Sequence, residues 1–567
     1  MSQVETPSQQ LTRLIEEEWE FRLEADPLFA TVVGDHRYDD RLPSATEEEH
    51  SRRLGFWRSL LQRLQKIDPA GLPANQRLDW EILVRLLDIE IGEIEFHTYR
   101  IPICKTFGFP MDLPDQLPHL MPLRTVSDYE SYLARLDAFP RFFQEQIGVM
   151  RNGLATGYVP ARVTLDGLDQ TLSQFLVSDP TASPFWSPLS GIPSSLDGRE
   201  QDRLTAEAHR VVSGSVVPAY RALLEFLVQE YLPRARSNIA ASELPDGPAF
   251  YRHRVRAYTS LDLTPEAVHR TGLEEVARIR SEMEAVMGQV GFQGSFSDLR
   301  EFLRTDSRFY ATSKDALLRE TAYVLKRIDG ELPRMFGKLP RMPYGIRPIP
   351  DASAPGSTAA YYLPPTGDGQ HAGFYYVNTY DLPSRPLYEI EALSLHEAVP
   401  GHHLQIALQQ ELDLPAFRRF GGFTAFVEGW ALYAERLGLE MGFYQDPYSN
   451  LGRLSYEMWR ACRLVVDTGI HALQWPRQTA IDLMASNTFS TPLNIANEVD
   501  RYIAWPGQAL AYKIGELKIR ELRSRAERDL RPRFDARDFH DLVLGSGAVP
   551  LDVLERMVLN WVQERAA

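Results

Sequence analysis

The chain has 567 residues, of which 44% are hydrophobic and 24% are charged, as in ordinary globular proteins. This composition excludes a disordered chain, a collagen-like chain and a simple coiled coil. The formal net charge of −16 argues against general binding to nucleic acid, because that binding depends on clustered Lys and Arg side chains. We therefore expect no nucleic-acid partner.

The two cysteines, Cys104 and Cys462, lie far apart in the sequence and form no CxxC pair. This excludes a disulfide framework and a cysteine-based zinc site, and it favours a reducing compartment. The residues up to Glu18 contain neither a positively charged region nor an apolar run typical of a signal peptide. No uncharged apolar stretch of about 18 residues occurs, so we expect no membrane span. Together these features predict a cytoplasmic protein with no membrane partner.

Helical periodicity runs through most of the chain. Leu11, Leu14 and Trp19 recur at helical spacing and share one face. The segment Thr264–Glu266 combines a capping hydroxyl, a proline at the first helical position and an acid in the first turn, so it predicts a helix start. Further helices are predicted at 76–96, 313–329, 424–440, 451–474 and 507–526. The fold class is therefore expected to be mainly α.

The best strand candidates adjoin a proline-rich stretch. Residues 340–365 contain seven prolines. The pair Tyr361-Tyr362 and the run Phe374–Thr379 are aromatic and β-branched and are bounded by Gly and Pro, which is typical of strands. This organisation predicts three parts, compatible with one continuous structural unit: an N-terminal helical region at 1–339, a connection with cleft strands at 340–385, and a C-terminal helical region carrying the chemistry at 386–567.

Three of the chain's 13 histidines fall within the eight residues from His396 to His403. Apolar residues recur at helical spacing just before them, so His396 and Glu397 are expected on an amphipathic helix. A His-Glu pair followed one helical turn later by a second His presents two imidazoles and a carboxylate to a zinc ion. The segment therefore predicts a metal site.

The spacing leaves two candidates for the second histidine ligand, because the residue four positions after His396 is Pro400, which cannot bind a metal. In the first, Pro400-Gly401 introduces a bulge of about two residues and His402 becomes the ligand. In the second, His403 is the ligand, although it would lie about 10 Å further along a straight helix. Either choice requires a distorted helix, and we favour His402.

A third protein ligand is expected downstream. Glu428 lies among apolar residues on the predicted helix at 424–440. Burial of an uncompensated carboxylate is costly, so Glu428 should have a cationic partner or a metal ion. Three protein ligands would leave an open position for water. Glu435 lies seven residues further on nearly the same face, where it could orient a ligand imidazole.

Three separated motifs carry a family resemblance: HEAVPGHH at 396–403, FVEGWALYAE at 426–435 and RYIAWPGQALAYKIG at 501–515. In this order they resemble the bacterial family called domain of unknown function 885, over most of the chain. That family is similar to helical zinc metallopeptidases of the gluzincin type, such as the Taq carboxypeptidase and thimet oligopeptidase families. The resemblance implies a large multi-helix zincin-like metallopeptidase body with a small β element near the active site.

The resemblance also implies one Zn²⁺ per chain, held by His396, His402 and Glu428. The Gly-His-x-Leu wording of the carboxypeptidase motif favours His402 over its neighbour. Glu397 is the implied general base that takes a proton from the attacking water. A donor to the developing oxyanion is expected from the C-terminal motif or its surroundings; the candidates are Tyr512, Tyr502, Arg501, Lys513 and His471.

The substrate contacts implied by the resemblance lie on the strand before the metal helix. In gluzincins that strand pairs with an extended peptide. Tyr375, Tyr376 and Asn378 would then line the cleft, and Arg501 is a further substrate-binding candidate. We therefore expect a zinc-dependent hydrolase of peptide or peptide-like amide bonds. The alternatives are a non-catalytic relative that binds peptides or a partner in the same cleft, and an amide hydrolase of a dedicated small-molecule pathway.

Overall fold

The structure is a computed structural model that describes residues 5–351 and 354–566. Within these residues helices predominate and strands form one three-stranded sheet, so the prediction of a mainly α fold with a small β element is confirmed. Both cysteines are free and buried, as expected for a chain without disulfides. The described residues divide into two compact units.

The first unit contains the described residues up to Asn238, together with the short segments Glu243–Asp246 and Thr366–Asp368. Its core is aromatic, with Phe139, Phe143 and Tyr220 fully buried. Its helices are α1 (Pro7–Ala25), α2 (Pro27–Val32), α3 (Glu47–Leu64), α4 (Ala74–Glu95), α5 (Phe109–Leu120), α6 (Val126–Asp137), α7 (Phe139–Thr156), α8 (Leu168–Ser173), α9 (Gly198–Val211), α10 (Val217–Phe226) and α11 (Leu232–Arg234).

Short π-helical segments join the last three of these helices into one stretch, Gly198–Arg234. By length and composition it is the one described helix that could cross a membrane. However, 56% of its most apolar window is buried inside the structure. Core helices of folded domains meet the same length and composition criteria, so this helix is weak support for a membrane span.

The second unit contains Ile239–Ser242, Gly247–Pro365 and Gly369–Ala567. It begins well before the boundary at 339 that the sequence suggested. Its elements are α12 (Gly247–Thr259), α13 (Pro265–Gln289), α14 (Phe296–Thr305), α15 (Lys314–Met335), β1 (Tyr344–Pro348), β2 (Ala360–Leu363), β3 (Gly373–Val377), α16 (Ile390–Glu397), α17 (His402–Glu411), α18 (Ala416–Phe420), α19 (Thr424–Leu437), α20 (Pro447–His471), α21 (Arg477–Asn487), α22 (Pro492–Ala504), α23 (Ala511–Leu530), α24 (Ala536–Leu544) and α25 (Leu551–Ala566).

The helix start predicted at Thr264 is confirmed. The Thr264 side chain accepts a hydrogen bond from the backbone N–H of Ala267, and α13 begins at Pro265. A capping hydroxyl satisfies one of the free N–H groups at a helix start, and proline, which has no N–H, costs no hydrogen bond at the next position because an N–H there would be unpaired. The local signal therefore fixes this boundary.

The sheet has the strand order β1-β3-β2. β3 pairs in parallel with β1 and antiparallel with β2, so both of its edges are occupied. The strands predicted at Tyr361-Tyr362 and in the Phe374–Thr379 run are confirmed as β2 and β3. β1 was missed, because it is short and lies within the proline-rich stretch.

Candidate metal centre and cleft

The predicted metal helix is interrupted between its histidines. α16 ends at Glu397, α17 begins at His402, and the residues between them form a turn. The backbone N–H of His403 donates back to the carbonyl oxygen of Ala398 at 2.9 Å. A Cβ on Gly401 would lie 1.9 Å from the carbonyl oxygen of His396, so only glycine fits at this close approach.

The turn brings the rings of His396 and His402 together. Their centroids lie 4.8 Å apart and their planes are nearly perpendicular. The indole N–H of Trp430, on α19, donates to the carbonyl oxygen of Pro400 at 2.8 Å. This hydrogen bond ties α19 to the turn and so fixes Glu428, which precedes Trp430 by two residues, relative to both histidines.

A close helix crossing positions Glu428 from the other side. A Cβ on Gly429 would lie 2.4 Å from the Cα of Gly515, and a Cβ on Gly515 would lie 1.9 Å from the carbonyl oxygen of Ala425. The backbones of α19 and α23 therefore approach each other directly, which glycines alone permit. The crossing places Glu428 on α19 and Tyr512 on α23 at the same cavity.

The ligand atoms of His396, His402 and Glu428 all lie within 4.8 Å of one another. Oε2 of Glu428 is 3.7 Å from Nε2 of His396 and 3.5 Å from Nε2 of His402. Tetrahedral zinc with bonds of about 2.0–2.2 Å sets neighbouring ligand atoms about 3.3–3.6 Å apart. Oε2 of Glu428 is also buried without a hydrogen-bond partner. The three side chains thus fit a zinc ion in identity and spacing.

Glu435 holds the first of these imidazoles. Its Oε1 lies 2.8 Å from Nδ1 of His396, so Nδ1–H donates to Glu435, and Nε2 faces Glu428 as the nitrogen available to a metal. Burial opposes the charged imidazole, but the carboxylates of Glu428 and Glu435 raise the pKa of His396 to about 9. The two histidines in turn hold the pKa of Glu428 well below its usual range, despite burial. The centre therefore has an excess of negative charge that a cation would balance.

His403 points away from this centre. Its Nε2 is 3.0 Å from the carbonyl oxygen of Met342, so Nε2 carries the proton and donates. Its Nδ1 then accepts from the hydroxyl of Tyr362 at 2.8 Å. Burial lowers the pKa of His403 to about 4, which keeps the imidazole neutral. Both ring nitrogens are occupied, and the structure places His402, not His403, beside His396.

A cavity of about 280 Å³ opens beside the three metal-binding candidates. Three residues that the sequence analysis named as site candidates, Glu397, Tyr512 and Arg501, all line it. The Tyr512 ring is stacked on His396 at 6.4 Å between centroids. Burial and the charge of Glu428 raise the pKa of Tyr512, so its phenol stays protonated and can donate a hydrogen bond.

Tyr502 lies behind the cavity wall rather than in it. It is 1% exposed, and its hydroxyl accepts from Nε1 of Trp459 at 2.8 Å and from Nε of Arg463 at 2.9 Å. With two donors already bound, this oxygen holds Arg463 in place. The structure therefore brings Tyr512 to the metal candidates and leaves Tyr502 as a support for an arginine.

Two further oxyanion candidates are also engaged elsewhere. His471 is fully buried, with Nδ1 accepting from the N–H of Ala241 and Nε2 donating to the carbonyl oxygen of Tyr502. Lys513 is fully buried and surrounded by three carboxylates at 2.8–2.9 Å, those of Glu275, Glu457 and Glu516. Neither side chain is among the residues that line the cavity.

The residues predicted on the cleft strand lie in the interior. Tyr375 and Tyr376 are 1% and 7% exposed, and they belong to β3, whose edges are both paired. The amide of Asn378 donates to the carbonyl oxygens of Ala354, Ser357 and Thr358, so it shapes the loop before β2. The cavity is lined instead by Thr358–Tyr362, which includes most of β2.

β2 presents its free edge on the side away from β3. The backbone N–H of Asn378 donates to the carbonyl oxygen of Ala359 at 3.0 Å, which fixes the hydrogen-bonded pairs of this antiparallel ladder. Because hydrogen-bonded and non-bonded pairs alternate, Tyr361 bonds to β3 and the backbone groups of Tyr362 point away from it.

Sequence reasoning missed one face of α20. Tyr456, Arg460 and Arg463 follow the helical spacing of four and then three residues, and all three line the cavity with Glu498 of α22. This spacing of large polar residues on a helix that otherwise contains many apolar residues is the signal that could have identified them. Their role became visible only when α20 was placed beside the metal candidates.

The fold and the site define a large helical protein with a His-His-Glu cluster at a buried cavity. The family model for bacterial proteins of unknown function, DUF885, matches residues 27–558, so the chain belongs to this family. No curated protein matches the chain significantly.

Two solved structures share the fold. The "putative lipoprotein" from Colwellia psychrerythraea is 29% identical, with a TM-score of 0.94 over 99% of this chain and 100% of its own. A "putative lipoprotein of unknown function" from Shewanella oneidensis is 19% identical, with a TM-score of 0.73 over 98% of this chain and 100% of its own.

These relatives contradict the predicted cytoplasmic location. Both carry the name "putative lipoprotein", and lipoproteins are attached to membranes through a covalent lipid. The prediction was wrong in part because it used the cysteines as an indicator of a reducing compartment. Buried, unpaired cysteines such as Cys104 and Cys462 are compatible with either side of a membrane.

Proposed function

We propose that this protein is a zinc-dependent hydrolase of peptide or peptide-like amide bonds, with a zincin-like centre. The observation that carries the proposal is the convergence of His396, His402 and Glu428 within 4.8 Å, beside a cavity that Glu397 also lines. Two imidazoles, one carboxylate and an open side form one of the ligand sets found in catalytic zinc sites.

The side chains around the centre have complementary roles in this proposal. When bound, zinc lowers the pKa of water and polarises a carbonyl group. The Glu397 carboxylate takes the proton of the attacking water and passes it to the nitrogen of the leaving amine. The Tyr512 hydroxyl donates a hydrogen bond to the carbonyl oxygen as its negative charge grows. Glu435 keeps the His396 ring in one tautomer and orientation.

The free edge of β2 supports a peptide-like substrate. Because the backbone groups of Tyr362 point away from β3 and Ala360–Tyr362 line the cavity, an extended chain can add to this edge by main-chain hydrogen bonds. The edge strand for the substrate is then β2, one strand away from the strand named by the sequence.

Metal analysis of the purified protein tests the centre. We expect about one zinc per chain in the wild type, and its loss in His402→Ala and Glu428→Ala. His403→Gln is the matched control, because this neighbour faces Tyr362 and should keep the metal. A metal-free wild type, or a His403 variant that alone loses zinc, would contradict the proposed ligand set.

A turnover assay tests the chemistry separately. Glu397→Gln should retain zinc and lose chelator-sensitive cleavage of a peptide mixture, by about a hundredfold or more, because the amide cannot accept the proton. Peptide binding without cleavage in the zinc-loaded wild type would favour the non-catalytic alternative.

A further inference from the structure

Beyond the metal candidates, the cavity wall carries three arginines. Arg460 and Arg463 project from α20, and Arg501 projects from α22. Arg460 and Arg463 are each only 4% exposed, so their charges are largely removed from water. Buried arginines are normally paired with carboxylates, because an uncompensated buried charge is costly.

Protein acceptors occupy only some of the N–H donors of Arg460 and Arg463. Nε of Arg463 donates to Tyr502 and Nη2 donates to Glu498, but Nη1 is buried without a partner. Nη1 of Arg460 donates weakly to the carbonyl oxygen of Tyr456, and Nη2 lies 3.5 Å from Glu435. Nε of Arg460 is likewise buried and unpartnered. Each guanidinium group therefore keeps one N–H donor without a protein partner, and both side chains line the cavity, where an incoming acceptor would add to their hydrogen bonds.

Arg460 and Arg463 lie close to the metal candidates, with the ring of Tyr512 between them and His396. The guanidinium carbon of Arg463 is 4.4 Å from the centroid of Tyr512, and that of Arg460 is 5.9 Å from it. The same Tyr512 ring is stacked on His396. An extended chain spans about 3.5 Å per residue, so a group bound at Arg463 would lie within about three residues of a carbonyl at His396.

The charge of the lining also favours an anion. Three arginines and three glutamates, Glu397, Glu428 and Glu498, line the cavity, and the carboxylate of Glu435 lies 3.5 Å from Arg460, so these side chains carry a formal net charge of −1. A divalent cation at the histidines would leave the lining with an excess of positive charge. An anionic substrate would restore the balance, and a planar carboxylate matches the fork of N–H groups on a guanidinium.

We propose that Arg460 and Arg463 form a carboxylate subsite that selects substrates carrying a free carboxylate within about three residues of the bond to be cleaved. Its link to cleavage rests on the proposed hydrolase function. The carboxylate has two sources, the C-terminus of a short peptide or an acidic side chain, and both present the same chemistry.

Binding to four matched peptides tests the subsite without relying on turnover. The probes are N-acetyl-trialanine as the free acid and as the amide, and amidated N-acetyl-Ala-Glu-Ala and N-acetyl-Ala-Gln-Ala. Dissociation constants are measured by calorimetry on the full-length, zinc-loaded Glu397→Gln variant. We expect at least one carboxylate peptide to bind about tenfold or more tightly than its neutral partner, and the pair that shows the difference identifies the source. Similar affinity for acid and neutral members of both pairs, or no binding of any probe, overturns the subsite.

Arginine variants assign the preference to the proposed side chains. Arg463→Met should abolish the carboxylate preference, so that the carboxylate peptide binds no more tightly than its neutral partner, whereas general unfolding would abolish binding of both. Arg463→Lys, which keeps the charge but loses the planar fork, should reduce the preference in part. Arg453→Lys, on the same helix but outside the cavity lining, is the control. A preference that survives unchanged in Arg463→Lys and in Arg460→Lys overturns the assignment.

The same peptides separate this inference from the hydrolase proposal. Zinc-loaded wild type that prefers carboxylate peptides but cleaves none of them, nor a broader peptide mixture, refutes the hydrolase function and leaves the subsite standing. Cleavage of neutral amides with the same kcat/KM as the acids refutes the subsite and leaves the hydrolase function standing.

Discussion

The crossing of α19 and α23 gives the sharpest test of how the fold builds the centre, through the substitution Gly429→Ala. The new Cβ would lie 2.4 Å from the Cα of Gly515, 2.5 Å from its carbonyl carbon and 2.8 Å from the backbone nitrogen of Glu516. All three atoms belong to the backbone, so no side-chain rotation relieves the contact. Ordinary contact distances require the two helices to separate by about 1 Å.

The expected cost has two opposing parts. Overpacking of this kind destabilises by about 1–3 kcal/mol, and occasionally more. Alanine is the better helix former by about 1 kcal/mol, which offsets part of the cost. We therefore expect net destabilisation of up to about 2 kcal/mol. The larger effect is on zinc binding. Glu428 precedes the substituted residue and moves with it, whereas metal–ligand distances tolerate a change of only about 0.2 Å. The affinity for zinc should therefore fall at least tenfold.

Chelator competition and thermal unfolding measure the two effects. The matched control is Gly330→Ala in α15, where a Cβ meets nothing within 4 Å and the same substitution should be neutral or stabilising. If Gly429→Ala binds zinc and unfolds as the wild type does, the backbone-to-backbone crossing does not position Glu428 and the reasoning fails.

Two further predictions follow from the buried polar partners. Glu435→Ala should weaken zinc binding by about 10–100-fold, measured by chelator competition, because His396 loses the acceptor that fixes its tautomer; unchanged affinity would contradict that role. His540 is buried between the Met335 carbonyl oxygen and the Tyr433 hydroxyl, and burial lowers its pKa to about 3. Its unfolded pKa is near 6.5, so the unfolded state binds more protons and stability should fall as the pH decreases from about 6.5 toward 3. His540→Gln should lose less stability between pH 7 and pH 5 in urea unfolding, and an identical loss in both proteins would refute this source of acid sensitivity.

The sequence was sufficient for the parts of the site that depend on residue identity and local spacing. Glu428 was identified because a carboxylate among apolar residues needs a cation, and Glu435 because seven residues return to the same helix face. Both side chains lie where this reasoning placed them, around His396. The start of α13 at Pro265 could also be predicted from the sequence, because a capping hydrogen bond joins residues within one helical turn.

The features that depend on contacts between distant segments of the chain could not be predicted from the sequence. Tyr375 and Tyr376 have the pattern of a strand, but strand pattern does not reveal which strand is central. The missing information was β1, whose few residues lie among prolines and cover the second edge of β3. Likewise, the sequence does not distinguish Arg460 and Arg463 from other polar residues of a long helix. Their position becomes clear only from the packing of α20 beside the metal candidates.

The two-residue insertion before His402 shows how such a site tolerates a change of spacing. On a straight helix His402 would lie about 9 Å beyond His396 and on a different face. The chain instead ends one helix and starts another, and contacts of Gly401 with His396 and of Pro400 with Trp430 fix the direction of the restart. Because His402 is the first residue of the new helix, its ring turns toward His396. The next residue, His403, then points to the opposite side and bonds to Tyr362 instead, so adjacent histidines acquire separate roles.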